Sequence, residues 1–394
     1  MEHVISGPPR VLIAEDQPHV REALRLLLRT EGILSEVASS PDTVMHALSS
    51  ESFDLLLMDL NYARDTTSGR EGLDLLTRVQ ALDRSLPVVA MTGWPTLDLA
   101  VEAMRTGVRD FVQKPWEKAR LIKTIRREID RGRAERSLTR LHGRELEDAQ
   151  HIQRGLLPQA IPSVHGWTIA ADWKPANGLG GDYFDLIPFS QTRLGVCIAD
   201  VVGKGLSAAL LMSNLQGVVR AIASEHVPPA DVCTKVNRVM SGKMDGGRFI
   251  TFFYGVLDTA AGLFSWSNAG HNPGVIQHSD GSQDVLSEGG MVLGVFPDAF
   301  YMQRALPVDP GDRIVLYTDG ITEAEGPDDE GYGDERLRDF IAARGALHAA
   351  PLRDAIFSTV SEFCRGHFRD DATVIVLAGS SATRSQGPAE SPSE

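Results

Sequence analysis

The amino-acid sequence predicts a multidomain α/β protein that begins with a doubly wound parallel sheet and ends with an αββα sandwich. Over the first 116 residues, short apolar strands alternate with amphipathic helices, which is typical of a parallel sheet with helices on both faces. From Trp167 to about Leu377, strands with apolar residues at every second position follow one another closely, and this pattern favours antiparallel sheets. The stretch between them, from Leu121 to Leu157, is charged and rich in helix-forming residues, and it predicts a helical connector.

Length and composition limit the classes of protein to which this chain can belong. It has 394 residues, 42% of them apolar, which is enough for two or three packed domains. The formal net charge of -14 argues against a general nucleic-acid binder, because such proteins gain affinity by neutralising phosphates. No apolar run reaches the ~18 residues of a membrane span, and the first residues show no signal-peptide pattern. We therefore expect a cytoplasmic protein whose partners include neither nucleic acid nor membrane.

Polar residues stand where the apolar strands of the N-terminal region end. They are Glu15, Asp16, Asp59, Thr92 and Lys114. In a doubly wound sheet the functional groups gather at the carboxyl ends of the strands. Three acids collected there would bind one magnesium ion and leave Asp59 as a carboxylate nucleophile toward phosphate. Thr92 would then donate a hydrogen bond to the acyl phosphate, and Lys114 would pair with it.

This ordered set resembles the receiver domain of two-component response regulators, over residues 8–130. The resemblance implies a five-stranded parallel sheet, phosphorylation of Asp59 and a cognate histidine kinase as phosphate donor. The residues that it assigns to a single Mg²⁺ are Glu15, Asp16, Asp59 and Asn61. The switch residues that it assigns are Thr92, Lys114 and the aromatic Phe111. It also implies a cis peptide bond between Lys114 and Pro115.

The loop after Asp59 departs from the receiver pattern. The usual short proline-containing loop is replaced by residues 61–72, which are about five residues longer. This insertion would lie over the phosphorylation pocket, where Asp65 could compete for the ion. Its effect on magnesium access or on the lifetime of the phosphate is left open by the sequence.

The connector, residues 131–160, carries a second apolar stripe after the one formed by Leu121, Ile122, Ile125 and Ile129. Its members are Leu138, Leu141, Leu146, Ala149, Ile152 and Leu156. The spacing is close to a heptad repeat, but Gly132 and Gly143 interrupt it. We therefore predict a bent or stuttered helix that makes a homodimer, with a surface helix packed on its own domain as the alternative. Seven arginines from Arg126 to Arg144 form a basic face, and a nucleic-acid role for it is disfavoured by the acidic chain.

Four sites in the C-terminal half place aspartates at the ends of predicted strands. Asp182 follows a glycine-rich turn, Asp200 and Asp319 end apolar runs, and the pair Asp370–Asp371 opens the last strand. Any one of them alone is more often a turn residue. Together they point to a cation site, because unpaired like charges about 4 Å apart repel by roughly 4 kcal/mol near a protein surface. Ligation by oxygen alone favours magnesium or manganese over zinc.

Five motifs in this half occur in the order of a known family. They are Gly180–Asp185, Ala199–Gly205, Asn268–Pro273, Thr318–Ala324 and Asp370–Thr373. They resemble the metal-dependent serine/threonine phosphatases of the protein phosphatase 2C (PP2C) type, in the bacterial sporulation and stress-response branch. A Gln-x-x-Leu-Leu-Pro motif at Gln153–Pro158 resembles the segment that precedes the catalytic domain in that branch. The resemblance implies a phosphatase domain over residues 161–379, followed by a tail, residues 380–394, that we expect to be disordered.

The phosphatase resemblance implies two bound Mn²⁺ or Mg²⁺ ions and gives each acid a role. Asp200 bridges the ions, Asp182 binds one, and Asp319 and Asp370 bind the other. Val201 adds a backbone carbonyl, and Asp371 can exchange roles with Asp370. These carboxylates are the predicted catalytic residues, since a water shared by two such ions loses its proton near neutral pH and attacks phosphorus.

Two further motifs allow more than one interpretation. Gly203–Gly205 leads into a helix, so its glycines serve either to bind phosphate at the helix N-terminus or to pack that helix closely. His271 suits an acid or ligand role, but a histidine that orders its loop is the preferred interpretation. Neither His271 nor Asn268 is predicted to be catalytic.

Two hypotheses about function follow. The first is a response regulator whose output domain hydrolyses phosphoserine or phosphothreonine on a protein, under control of Asp59 phosphorylation. The family resemblance suggests an anti-sigma-factor antagonist as that protein, with the sign of the control left open. The second is a non-catalytic adaptor that binds a sigma or anti-sigma factor. The four acids favour the enzyme, because an adaptor has no need of them. A DNA-binding regulator is excluded, since no helix-turn-helix follows the receiver.

Overall fold

The structure is a computed structural model that describes residues 7–60, 70–93, 97–176, 178–244 and 247–380. Asn61, most of the insertion after Asp59, and the predicted disordered tail from residue 381 onward lie outside the described residues. The chain divides into two compact units, Met1–Leu146 and Glu147–Glu394. The division falls inside a helix, and the domain boundaries given above stay predictions. Among the described residues, no helix is both long enough and apolar enough to cross a membrane.

The first unit contains one parallel five-stranded sheet of order β2-β1-β3-β4-β5. Its strands are β1 (Arg10–Ala14), β2 (Leu34–Ala38), β3 (Leu55–Asp59), β4 (Val88–Thr92) and β5 (Val108–Gln113). Its helices are α1 (Pro18–Thr30), α2 (Pro41–Ser50), α3 (Arg70–Leu82), α4 (Leu97–Thr106) and the start of α5 (Lys118–Leu156). The strands are apolar because helices cover both faces, and all five residues of β3 and of β4 are buried. The predicted doubly wound sheet is confirmed.

Helix α5 runs without a break from Lys118 to Leu156. Gly132 and Gly143 both lie inside the helix, so neither glycine ends it, and the bent or stuttered dimerisation helix stays a prediction. Gly132 has a packing reason, because a Cβ there would lie 2.4 Å from Cγ of Pro87. A glycine inside a helix costs only about 1 kcal/mol relative to alanine, which the packing of the rest of the helix can offset.

The two apolar stripes of α5 have different surroundings. Leu121, Ile122, Ile125 and Ile129 are buried in the core of the first unit. The leucines at 138, 141 and 146 and Ile152 are exposed. Much of the basic face is paired with acids of the first unit: Arg126 with Glu31, Arg127 with Asp110, Arg131 with Glu135, and Arg133 and Arg136 with Asp54.

The second unit contains two sheets that pack face to face. Its strands are β6 (Trp167–Lys174), β7 (Tyr183–Pro188), β8 (Arg193–Val201), β9 (Ile250–Asp258), β10 (Leu263–Ala269), β11 (Gly274–Gln277), β12 (Gln283–Leu286), β13 (Gly289–Gly290), β14 (Arg304–Pro307), β15 (Arg313–Tyr317) and β16 (Ala372–Gly379). One sheet has the order β13-β10-β9-β8-β7, with β14 paired to β10, and the other has the order β12-β11-β15-β16-β6. Residues of both sheets share one apolar core, which contains Val196, Phe253, Leu316 and Ile375.

Helices cover the outer faces of both sheets in the second unit. They are α6 (Leu206–Ile222), α7 (Pro229–Ser241), α8 (Asp319–Thr322), α9 (Asp334–Ala342) and α10 (Ala349–Phe363). Apolar residues of α6 and α7 pack on the β7–β10 sheet, and those of α9 and α10 pack on the β15–β16 sheet. The layers are therefore helix, sheet, sheet, helix, and the predicted αββα sandwich is confirmed.

An ion pair between a buried carboxylate and a partly exposed guanidinium joins α6 to β7. The carboxylate of Asp185 is completely buried and accepts hydrogen bonds from Nε and Nη2 of Arg220, each at 2.5 Å. The hydroxyl of Tyr183 donates to the same carboxylate at 2.8 Å. Asp185, the last residue of the Gly180–Asp185 motif, therefore holds α6 against β7 through Arg220.

Replacing Arg220 with methionine should destabilise the second unit strongly. The change leaves the buried Asp185 carboxylate without its cation, and because Arg220 is itself partly exposed we expect a loss of about 2 kcal/mol, below the value for fully buried pairs. Urea unfolding monitored by circular dichroism measures the loss. We expect the double variant Asp185→Asn with Arg220→Met to lose less than Arg220→Met alone, because it removes the orphaned charge. An equal or larger loss in the double variant would contradict this role.

Candidate metal centre

The acids predicted from the sequence meet at one end of the sandwich. Asp182 directly precedes β7, and Asp200 is the second-last residue of β8, in the same sheet. Asp319 begins α8, separated from the end of β15 by one residue, and Asp370–Asp371 directly precede β16, in the other sheet. Both sheets therefore contribute carboxylates to the same end of the second unit.

Asp182 is held by two threonines of the opposite sheet. Its carboxylate is buried, and Oδ2 accepts hydrogen bonds from Oγ1 of Thr318 at 2.8 Å and from Oγ1 of Thr373 at 2.5 Å. Its Oδ1 is buried and has no hydrogen-bond partner within the described part of the chain. One carboxylate oxygen is thus fixed in direction, and the other is left to serve as a ligand. An orphaned buried oxygen of this kind fits a cation site.

Gly181 brings the Asp182 loop against the end of β8. A Cβ at Gly181 would lie 2.7 Å from the carbonyl oxygen of Val201 and 3.3 Å from Oδ1 of Asp200. Only a residue without a side chain allows this approach. The glycine therefore allows Asp182 to lie close to Asp200 and to the Val201 carbonyl.

Asp370 and Asp371, which the sequence could not separate, have different partners. Asp371 is buried, and its two oxygens accept hydrogen bonds from the backbone amides of Ala176 at 2.9 Å and Gly181 at 2.7 Å. Asp370 is half-buried, and its Oδ2 pairs with Nζ of Lys204 at 2.8 Å. Both carboxylate oxygens of Asp371 are therefore occupied by backbone hydrogen bonds, whereas the carboxylate of Asp370 pairs with the side chain of Lys204.

Burial and mutual repulsion shift the titration of these acids. The pKa of Asp200 is raised to about 7 by burial and by the negative charges of Asp319, Asp370 and Asp371. The pKa of Asp319 is raised to about 6 by burial and by the charges of Glu323 and Asp370. Such a set resists full ionisation unless a cation joins it.

The buried Asp182 follows the same rule. Its pKa is raised well above the usual range by burial, and next by the charge of Asp200. The hydrogen bonds from Thr318 and Thr373 act in the opposite direction but do not reverse the shift. The acids from both sheets are therefore coupled to one another electrostatically.

The compact acid cluster of the described residues lies in the first unit. Ligand atoms of Glu15, Asp16 and Asp59 all lie within 4.8 Å of one another there. The acids of the second unit do not form such a compact group among the described residues.

The metal-free protein should lose stability as pH rises from about 5 to about 8. The raised pKa of Asp200, about 7, means that the folded state keeps a proton that the unfolded state has already released, so higher pH favours unfolding. Added Mn²⁺ should remove this loss. Thermal unfolding in chelator, compared with unfolding in Mn²⁺ without chelator, measures the loss, and we expect a difference of roughly 5 °C. The same decline in Asp200→Asn as in the wild type would contradict this assignment.

His271 orders a loop beside the acids. It is buried, and its Nδ1 lies 2.7 Å from Oγ1 of Thr251, a residue paired with Asp200 across β8 and β9. Asn268 accepts a hydrogen bond from the His271 amide at 2.7 Å and donates to its carbonyl at 3.0 Å. Burial lowers the pKa of His271 to about 4, so the ring is neutral at pH 7. These contacts fit the loop-ordering interpretation.

The first unit forms its own acidic pocket at the carboxyl ends of β1 and β3. Nζ of Lys114 lies 2.6 Å from Oε2 of Glu15 and 2.7 Å from Oδ2 of Asp59. Burial raises the pKa of Glu15, and Oδ1 of Asp16 is buried with no hydrogen-bond partner within the described residues. This donor set fits one Mg²⁺. Thr92 is buried at the end of β4.

Other receiver features agree with the sequence predictions in part. The peptide bond between Lys114 and Pro115 is cis. Phe111 is half-buried and packs against the core of the first unit. Asn61, the fourth predicted magnesium ligand, lies outside the described residues.

Comparison with known proteins identifies both units. Residues 190–379 match the model of the stage II sporulation protein E (SpoIIE) family, and residues 11–126 match the response regulator receiver domain. Phosphoserine phosphatase RsbU of Bacillus subtilis is 31% identical over 241 residues, which cover 59% of this chain and 69% of RsbU. The chain belongs to the SpoIIE family of PP2C-type phosphatases. Its N-terminal unit is a receiver domain, and its C-terminal unit is a phosphatase domain of this family.

Two other relatives each match 59% of this chain. Protein IcfG of Synechocystis is 31% identical over 266 residues, and the chain spans 41% of its length. RsbP of B. subtilis is 25% identical over 238 residues, and the chain spans 57% of it. The chain therefore spans less than two thirds of the length of IcfG and of RsbP.

Two solved structures share the fold of the phosphatase unit. The RsbU and RsbW domains of Rv1364c from Mycobacterium tuberculosis match with a TM-score of 0.50 and 28% identity, over 58% of this chain and 64% of that one. The SiaA-PP2C domain of Pseudomonas aeruginosa matches with a TM-score of 0.54 and 22% identity, over 61% of this chain and 98% of that one. The second likeness concerns the fold alone.

Three residues with contacts at the centre were not assigned a role from the sequence. Thr318 and Thr373 hold Asp182, and Gln153 holds the loop before it. Gln153 opens the Gln-x-x-Leu-Leu-Pro motif, and Thr373 is a polar residue inside an otherwise apolar strand. These two positions were visible in the sequence, but their partners lie far away along the chain.

Proposed function

We propose that the phosphatase unit removes phosphate from a phosphoserine or phosphothreonine of a protein. The observation that supports this most is the cluster of acids from both sheets, with the pKa of Asp200 raised to about 7. The similarity to RsbU and RsbP, which are named phosphoserine phosphatases, supports the choice of phosphorylated residue.

The proposed ligands of two Mn²⁺ or Mg²⁺ ions are Asp182, Asp200, Asp319, Asp370 and the carbonyl of Val201. Asp200 stands between the two sets, since its pKa responds to acids of the opposite sheet while its carboxylate lies beside Gly181. Asp371 is proposed to hold the glycine-rich loop, because both of its oxygens accept backbone hydrogen bonds. Asp370 is therefore preferred over Asp371 as the ligand.

The residues of this chain prepare the site for hydrolysis. Bound divalent ions supply an activated water and stabilise the charge that develops on the phosphate oxygens. Thr318 and Thr373 fix the direction of the Asp182 carboxylate. Lys204 places a half-exposed ammonium group beside Asp370, where it attracts the dianionic phosphate of a substrate.

The proposed substrate is a phosphorylated anti-sigma-factor antagonist, and the proposed phosphate donor to Asp59 is a cognate histidine kinase in the cytoplasm. The substrate follows from the family resemblance and the kinase from the receiver domain. The chain is further proposed to form a homodimer through the exposed apolar stripe of α5, which contains Leu138, Leu141 and Ile152.

Release of inorganic phosphate from an antagonist phosphorylated on serine tests the function. We expect release that requires Mn²⁺ or Mg²⁺ and stops when chelator is added. p-Nitrophenyl phosphate serves as a second substrate that does not depend on protein docking. Binding of the antagonist without release from either substrate would instead support the non-catalytic adaptor.

A further inference from the structure

The C-terminal end of α5 is bonded directly to the glycine-rich loop of the metal centre. The side chain of Gln153 is buried, with 2% exposure. Its Nε2 donates to the carbonyl of Gly180 at 2.7 Å, and its Oε1 accepts from the amide of the same residue at 3.1 Å. One carboxamide thus satisfies both backbone groups of Gly180.

The loop has little room to move at this position. A Cβ at Gly180 would lie 2.2 Å from Oδ2 of Asp371 and 2.9 Å from the ring of Trp173. One helical turn earlier, Gln150 packs against Gly178, where a Cβ would lie 2.2 Å from its Nε2. The loop is therefore enclosed by α5 on one side and by Asp371 and Trp173 on another.

Gly180 lies two residues before Asp182. The next residue, Gly181, donates its amide to Asp371 and stands against Asp200 and Val201. A displacement of the Gly180 peptide therefore changes the distance between Asp182 and Asp200. Because both acids are proposed ligands, such a displacement would weaken cation binding.

We propose that Gln153 is a positioning residue of the metal centre, and this rests on the function proposed above. Its carboxamide holds the Gly180 peptide so that the carboxylates of Asp182 and Asp200 face the same ions. Only glutamine has both the reach and the paired donor and acceptor that this contact needs. Glutamate would present no donor to the Gly180 carbonyl, and methionine would present neither group.

Through Gln153, the connector helix contacts the glycine-rich loop of the metal centre directly. Gln153 belongs to the same uninterrupted helix whose first half, with Ile125 and Ile129, packs in the core of the receiver unit. A shift or rotation of the C-terminal end of this helix moves the Gly180 peptide with it. The contact is therefore a place where a change in α5 alters cation affinity.

Gln153→Met in the full chain tests the proposal, with Gln159→Met as the matched control. Gln159 is exposed at the same helix end and donates to the carbonyls of Arg154 and Leu157 at 2.7 and 2.8 Å, without touching the loop. Mn²⁺ affinity is measured by electron paramagnetic resonance. Hydrogen exchange of the loop from residue 178 to 184 is measured without metal.

We expect Gln153→Met to bind Mn²⁺ about tenfold or more weakly, as is usual when residues that orient metal ligands are lost. The Gly180 and Gly181 amides should exchange faster, and excess Mn²⁺ should restore most of the turnover. Gln159→Met should match the wild type in all three measurements. Gln153→Asn keeps both groups but is one methylene shorter, so it should also weaken Mn²⁺ binding and speed up exchange of the Gly180 and Gly181 amides. This variant replaces Gln153→Met in the test if the methionine variant does not fold.

Wild-type Mn²⁺ affinity and wild-type exchange in folded Gln153 variants would overturn the proposal. Failure of the wild-type protein itself to bind Mn²⁺ would instead overturn the proposed function. The exchange comparison separates the two, because it reports on the Gly180 contact in the absence of metal.

Discussion

Asp200→Asn is expected to reduce phosphate hydrolysis on the order of a thousandfold, the loss seen when one strong electrostatic group is removed from other active sites. Asp200 carries the proposed bridging role, and its pKa is raised to about 7 because burial and three neighbouring acids oppose its charge. The amide removes that charge, so the cations that activate water lose their shared ligand. Turnover of p-nitrophenyl phosphate at saturating Mn²⁺ measures the effect.

The same substitution should act in the opposite direction on stability. Without metal at pH 8, Asp200→Asn should unfold at a higher temperature than the wild type, because it removes repulsion among the acids. Asp280→Asn is the control, since Asp280 lies on a surface turn and accepts from the amide and hydroxyl of Ser282 at 2.8 and 2.6 Å. Lower activity together with lower metal-free stability in Asp200→Asn would mean that the residue has a structural role only.

Asp59→Asn should abolish phosphorylation of the receiver unit. The carboxylate of Asp59 is nearly buried at the end of β3, where Lys114 lies 2.7 Å away and Glu15 and Asp16 complete the acidic set. An amide oxygen is a far weaker nucleophile than a carboxylate and cannot form the acyl phosphate. Incubation with acetyl phosphate and Mg²⁺, followed by electrophoresis in a phosphate-binding gel, detects the product.

The control for this prediction is Asp74→Asn, on the exposed face of α3. It should be phosphorylated like the wild type. Equal labelling of the wild type and Asp59→Asn would place the acceptor at another residue. The absence of labelling in the wild type, with Mg²⁺ present, would contradict acceptor function of this pocket.

The fold class could be predicted because the strands that matter most are buried and apolar. Four strands are visible in the sequence as continuous apolar runs, because every residue in them is buried: β3, β4, β15 and β16. The sequence does not reveal β12 and β14, because these strands lie at sheet edges and contain polar or exposed residues. β2 is also an edge strand, with three of its five residues exposed.

The sequence indicated the acids of the metal centre but could not supply the contacts that orient them. Asp370 and Asp371 are adjacent in one motif. They are distinguished by the backbone amides of Ala176 and Gly181, which donate hydrogen bonds to Asp371. The hydrogen bond from Thr373 to Asp182 joins residues that are distant in the chain. The continuity of α5 through Gly132 and Gly143 also depends on packing, which outweighs local helix propensity.

A crystal structure of the phosphatase soaked in Mn²⁺, with anomalous diffraction recorded at the manganese edge, tests the paired-cation site directly. We expect two anomalous peaks about 3.5–4 Å apart, bridged by the carboxylate of Asp200. Asp182 should bind one ion, with Asp319 and Asp370 on the other and Asp371 still bonded to the Gly181 amide. A map without peaks between these side chains, in crystals that bind manganese elsewhere, would contradict the assignment.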